Sequence, residues 1–235
     1  MNQNLFNTQI KNESGNVLFI ILMAVAMLGF LTAAIRSGDS SNANIDKESL
    51  AIRVSQVRSY ASELERAVLF VNQNGISESD LRFAHGRAHS DYGTYSDEPE
   101  RQIFHPDGGG ANYTNPPRGI NNGSAWEFYG TSAVPSIGTS AADLIAVLPN
   151  VSVDFCNSIN ERNGQSSMPR DTGTCLNAGS SGRFGDSQQF SSSPNEMDEA
   201  SFAQDTTVSA VKPAPQACVI CDDGARHFYY VLLAR

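Results

Sequence analysis

The sequence predicts an α+β fold: an apolar N-terminal helix, then an amphipathic helix packed on a small antiparallel sheet with long loops. Three observations predict it. Val17–Ile35 is a nineteen-residue run without a charge. From Leu50 to Val71, apolar residues recur at helical spacing. The C-terminal stretch reads as two apolar runs divided by a turn.

The chain has 235 residues and a formal charge of -9, with charged residues at 17%. That length fits one domain, or one domain plus an anchor. A net acidic surface lacks the basic stripe that phosphate neutralisation requires, so no nucleic-acid partner is expected. Acidity otherwise implies solubility and repulsion from anionic lipid.

Within Val17–Ile35 only Thr32 is clearly polar, and Lys11, Glu13, Arg36 and Asp39 bound the run. At 1.5 Å per residue, a helix of this length nearly spans the ~30 Å hydrocarbon core of a bilayer. In lipid a single helix satisfies its own backbone polar groups, which other open segments do not. A helix packed on the core of a domain this small normally keeps a polar face towards water, and this segment has none. A removable secretory signal is the competing reading. Ala33 and Ala34 offer a cleavage site for it, but the start lacks basic residues and the apolar run is long.

Residues 36–46, RSGDSSNANID, form a polar hinge, and Asn44 or Asp46 is placed to cap the next helix. In that helix Leu50, Val54, Val57, Ala61, Leu64, Val68 and Val71 form one stripe, with Asn74-Gly75 as the stop signal. Three heptads make a short coiled coil, so the stripe is expected to pack inside the domain. Strands are expected at Arg101–His105, Ser124–Tyr129 and Asp143–Leu148, and a short helix at Val151–Asn160. Gly164–Pro215 reads as loop. A hairpin closes the chain, Gln216–Cys221 and His227–Leu233 around Asp222-Asp223-Gly224-Ala225.

Four cysteines, Cys156, Cys175, Cys218 and Cys221, lie in the C-terminal half behind an export-type start. An even count in that context suggests disulfides, with three pairings open. Cys218-Val219-Ile220-Cys221 has redox spacing but sits in a strand-like run, where residues three apart face opposite ways. Each sulfur is therefore expected to bond elsewhere, with Cys156 and Cys175 as partners. His85 and His89, with Asp91 behind, have helical metal spacing but no third ligand. Gly108-Gly109-Gly110 lacks the lysine and helix of a phosphate loop. Tyr92, Tyr95, Tyr113, Trp126 and Tyr129 suit either core or a glycan- or peptide-binding surface. No catalytic, cofactor-binding or metal-binding set emerges, and the chain is read as a non-enzyme.

Lys11-Asn12-Glu13-Ser14-Gly15, then Asn16 and the apolar run, resemble the leader and stem of type IV pilins and of pseudopilins such as those of type II secretion. The resemblance covers about the first sixty residues. It implies cleavage between Gly15 and Asn16 by a prepilin peptidase, a membrane helix over 16–35, and residues 47–235 as an extracytoplasmic domain. It also implies a single-pass protein of the cytoplasmic membrane, its C-terminal domain in the periplasm or outside the cell. Partners would be the lipid bilayer and other pilin-like subunits. Two departures bear on assembly. Asn16 stands where the family has phenylalanine or methionine, and Ile20 stands where it has glutamate. In the family that glutamate is held to pair with a neighbouring subunit's terminal amine, so the exchange points to a minor, tip-like or non-assembling member. The alternative is a signal-anchored periplasmic domain with no filament role.

Overall fold

The computed structural model describes residues 14–37, 39–165, 167–172, 175–176, 182–185, 188–205, 208–211 and 213–235. Two compact units, Met1–Ser49 and Leu50–Arg235, divide the chain.

The first unit holds helix α1 (Ser14–Ser37) and the start of helix α2 (Asp39–Gln73). Leader residues 1–13 lie outside the described residues, while Gly15 and Asn16 fall in the first turn of α1. The capping expectation at Asn44 or Asp46 is corrected, because α2 is already helical at Asp39. Serine, asparagine and alanine cost a helix only a few tenths of a kcal/mol each, so the polar stretch does not break it.

In the second unit the stripe on α2 behaves as its spacing predicts. Val54, Ala61, Leu64 and Val68 are fully buried, and Val57 and Val71 nearly so. Gly75, at φ 90°, ends the helix in the left-handed region that glycine tolerates. The stripe packs on a six-stranded sheet of order β3-β7-β8-β2-β1-β4. Its centre is antiparallel: β1 (Glu127–Ala133), β2 (Asp143–Leu148), β8 (Arg226–Leu233) and β7 (Gln216–Cys221). Two-residue strands β3 (Arg170–Asp171) and β4 (Asn195–Glu196) add parallel edges. Helix α3 (Val153–Arg162) follows β2, and β5 (Ala203–Asp205) pairs with β6 (Val208–Val211) in a separate ribbon.

Alternation sorts the sheet's side chains onto two buried faces. Phe128, Ala146, Leu148, Cys218 and Phe228 meet α2 and Phe155 and Ile159 of α3. Tyr129, Ile145, Val147, Val219, Tyr229 and Val231 meet Leu176, Met197, Phe202 and Ala214 from the irregular stretch. Burial on both faces explains why β2 is apolar throughout rather than alternating. Across the first interface Tyr230 donates its hydroxyl hydrogen to Glu65 Oε2 at 2.6 Å, and Arg58 Nε donates to Gln216 Oε1 at 3.2 Å.

Three expectations shift. Pro99–Arg101 is a 3-10 turn, and Gln102 makes only an isolated bridge with Arg82, so Arg101–His105 is not a strand. The glycines after it explain this. Gly109 N–H donates to Gln102 O at 2.9 Å, and a Cβ at Gly108 would lie 2.6 Å from Pro99 O. The triple glycine folds the chain back on itself. The strand expected at Ser124–Tyr129 starts at Glu127 and runs to Ala133. Among its described residues, the stretch 164–215 expected as loop carries β3 to β6.

Candidate functional site

In α1 all fifteen residues from Leu18 to Thr32 are exposed, the large apolar side chains from 52% at Met23 to 79% at Phe30. The segment contains no titratable side chain. Its one hydroxyl, Thr32 Oγ1, stands 3.0 Å from Leu28 O and 2.9 Å from Gly29 O and is satisfied within the helix. Soluble monomers rarely expose so large a contiguous apolar surface, and such surfaces mark lipid or protein contact. Among the described residues no helix is long and apolar enough to cross a membrane. The described side chains of α1 account for about 22 Å of helix, short of a ~30 Å core.

Two disulfides staple the second unit. Cys156–Cys218 joins α3 to β7 with Cα atoms 5.2 Å apart, and Cys175–Cys221 joins the irregular stretch to the end of β7 with Cα atoms 5.7 Å apart. Each cysteine of the C-x-x-C spacing thus pairs outside it, as strand geometry predicted. Asn160 seals the same edge. Its Oδ1 accepts from Cys218 N–H at 2.9 Å and its Nδ2 donates to Cys218 O at 3.0 Å, mimicking a neighbouring strand.

The histidines considered as ligands are not brought together. His85 stacks on Tyr113 with ring centroids 3.6 Å apart, while His89 Nδ1 accepts the Asp91 N–H at 3.3 Å. Burial first, then the Arg87 charge, pushes the His85 pKa down to about 4 and keeps the ring neutral. Asp91 belongs to a network around Arg183. Arg183 donates to Glu127 at 2.7 and 3.1 Å and to Asp91 Oδ2 at 3.1 Å. Tyr92 donates to Glu127 Oε2 at 2.6 Å and accepts from Phe128 N–H at 2.9 Å. Each charge has a partner, so the network fastens residues 182–185 to β1. Sequence reasoning missed it because Arg183 stands alone in a glycine- and serine-rich run.

Of the five aromatics considered, Tyr92, Trp126 and Tyr129 are core, Tyr113 is partly buried and Tyr95 is 38% exposed. Trp126 also borders a cavity of about 350 Å³ with Val57, Tyr60, Thr114, Pro116 and Pro117. Among the described residues two carboxylates are buried. Asp143 accepts from Val134 and Arg235 N–H, both at 2.9 Å, and burial raises its pKa. Asp171 accepts from Asn195 Nδ2 at 3.1 Å, and burial raises its pKa to about 6.

Compared with known proteins, the chain matches no family model, no curated protein and no solved structure.

Proposed function

We propose that the chain is a pilin-like, or minor pseudopilin-like, protein held in the cytoplasmic membrane by α1, with a structural or binding role outside the cytosol. The observation that carries this reading is α1 itself. Its described side chains are all exposed, apolar apart from Thr32, and leave no polar group seeking water. Two disulfides in the second unit suit an oxidising compartment. A helix packed on an antiparallel sheet suits the plan that the leader resemblance implies.

In this reading the helix works by transfer from water to an apolar phase, either lipid or a bundle of like helices. Ile20 lets it do so without burying a charge, but it leaves no acid to pair with a neighbour's terminal amine. That feature favours a tip-like or non-assembling member over a bulk filament subunit. It equally favours the second reading, a signal-anchored periplasmic domain.

Mature-terminus sequencing of the membrane fraction tests both. A start at Asn16 supports prepilin processing, and retention of Met1 supports the plain anchor. A freely soluble cytosolic chain with reduced thiols would refute both.

A further inference from the structure

We propose that Cys175, Cys221 and His227 form, in the reduced chain, a binding site for a thiophilic divalent cation such as zinc. The site goes beyond the anchoring role and does not depend on it. The two sulfurs and an imidazole nitrogen lie within 4.8 Å of one another. Two thiolates and an imidazole are a donor set for tetrahedral zinc, with the fourth position left to water or an added ligand. Zinc–sulfur bonds of about 2.3 Å and zinc–nitrogen bonds of about 2.0 Å place donor atoms about 3–4 Å apart, so the freed sulfurs part by about 2 Å and the imidazole closes by about 1 Å.

The two disulfides differ in a way that singles out this corner. Cys156 and Cys218 are fully buried in the core, whereas Cys175 is the one cysteine of the four outside the buried class. A reductant therefore reaches Cys175–Cys221 first. With a phosphine, the S–S bond breaks and phosphorus takes the oxygen of one water to become the phosphine oxide. The two sulfurs take that water's protons, and the thiols release them on binding the cation. His227 stands across β7 and β8, paired with Val219 in register, and is itself 4% exposed. Its Nδ1 accepts the Asn150 N–H at 3.3 Å. Coordination through either ring nitrogen ends that contact, which is long and weak beside two thiolate bonds to the cation. Asp223, whose charge acts on His227, adds negative potential beside the site.

The test uses the full chain in detergent, partly reduced by a phosphine, with mass spectrometry fixing which bond has opened. Zinc is titrated against a chromophoric chelator, and cobalt is substituted to read thiolate coordination from its charge-transfer absorption. Expected is one equivalent bound by the chain opened at Cys175–Cys221, none by the oxidised chain, and a tetrahedral cobalt spectrum. Cys175→Ser removes binding, and His227→Gln weakens it at least about tenfold. The oxidised and reduced forms share one sequence, so circular dichroism of the two controls for folding. No binding after reduction would overturn the site. So would binding that survives Cys175→Ser, an affinity and spectrum indifferent to His227→Gln, or a chain that unfolds on reduction and stays unfolded with zinc.

Discussion

Helices α1 and α2 are built from the same apolar residues and meet opposite fates. On α2, Val54, Val57, Ala61, Leu64, Val68 and Val71 are at most 1% exposed, while Ser55, Gln56, Ser59 and Arg66 face water. On α1 every described side chain from Leu18 to Thr32 is exposed. The difference is one of arrangement. A striped helix finds its apolar phase on one side, here the sheet of its own domain, which takes up the stripe while Ile52 and Phe70 outside it stay exposed. A helix apolar all round would leave most of its surface wet after one-sided packing.

The comparison breaks if leucines on the two helices respond alike. Leu64→Ala deletes a fully buried side chain and is expected to lower the second unit's unfolding free energy by about 2–5 kcal/mol. Leu22→Ala, at a position 64% exposed, is expected to change it by less than about 0.5 kcal/mol. Denaturant unfolding of the full chain in detergent, followed by Trp126 fluorescence, reads both. Equal effects would mean that α1 is part of the domain's core.

The converse substitution sharpens the contrast. If α1 anchors the chain as proposed, Leu22→Arg places a charge within its apolar run and should weaken membrane retention by up to about 3 kcal/mol, roughly 100-fold, leaving domain unfolding unchanged. Flotation of vesicles carrying the wild-type and variant chains measures it. Undiminished flotation would show that something other than α1 holds the protein to lipid.

What could be read in advance follows the same division. The α2 stripe, β2 and the closing hairpin were legible because their burial is periodic or continuous along the chain. The cover of the second sheet face was not, since Leu176, Met197, Phe202 and Ala214 reach it from an irregular stretch with no period. Strand β1 was misplaced for a similar reason. Gly130 and Ser132 carry little strand propensity, yet Gly130 is there because a Cβ would stand 2.8 Å from the Phe184 ring. Strand geometry told only that Cys218 and Cys221 bond elsewhere; which of Cys156 and Cys175 each takes, the Arg183 network and the approach of His227 to Cys175–Cys221 depend on tertiary contacts that spacing does not encode.

Acidity should separate the units as well. Asp171 has a raised folded pKa, about 6 against an ordinary 3.8. Between those values the folded state holds a proton that the unfolded state lacks, so this residue makes stability rise as pH falls from above 6 towards 4. Above pH 6 the buried carboxylate is a cost, which Asp171→Asn removes. Its expected gain at pH 8 is at most about 3 kcal/mol, fading towards pH 4. Retention through α1 should be flat over the same range, because residues 18–32 contain nothing to titrate.

His85 works in the opposite direction within nearly the same window. Its folded pKa is lowered to about 4 from 6.5, so between those values the unfolded chain takes a proton that the folded chain refuses. Stability from this residue is intact above pH 6.5 and is lost as pH falls towards 4. Part of the ring meets solvent, so the effect after screening should be less than about 1 kcal/mol. His85→Phe keeps the stack on Tyr113 and should remove that loss. Because Asp171 and His85 oppose each other, the wild-type profile between pH 4 and 6.5 should lie between those of the two variants. Asp171→Asn should fall more steeply on acidification, with His227, also held neutral by burial, adding to the slope, while His85→Phe should rise. Parallel profiles in all three chains would mean that neither group senses folding, and that the second unit's interior is wetter than its buried faces imply.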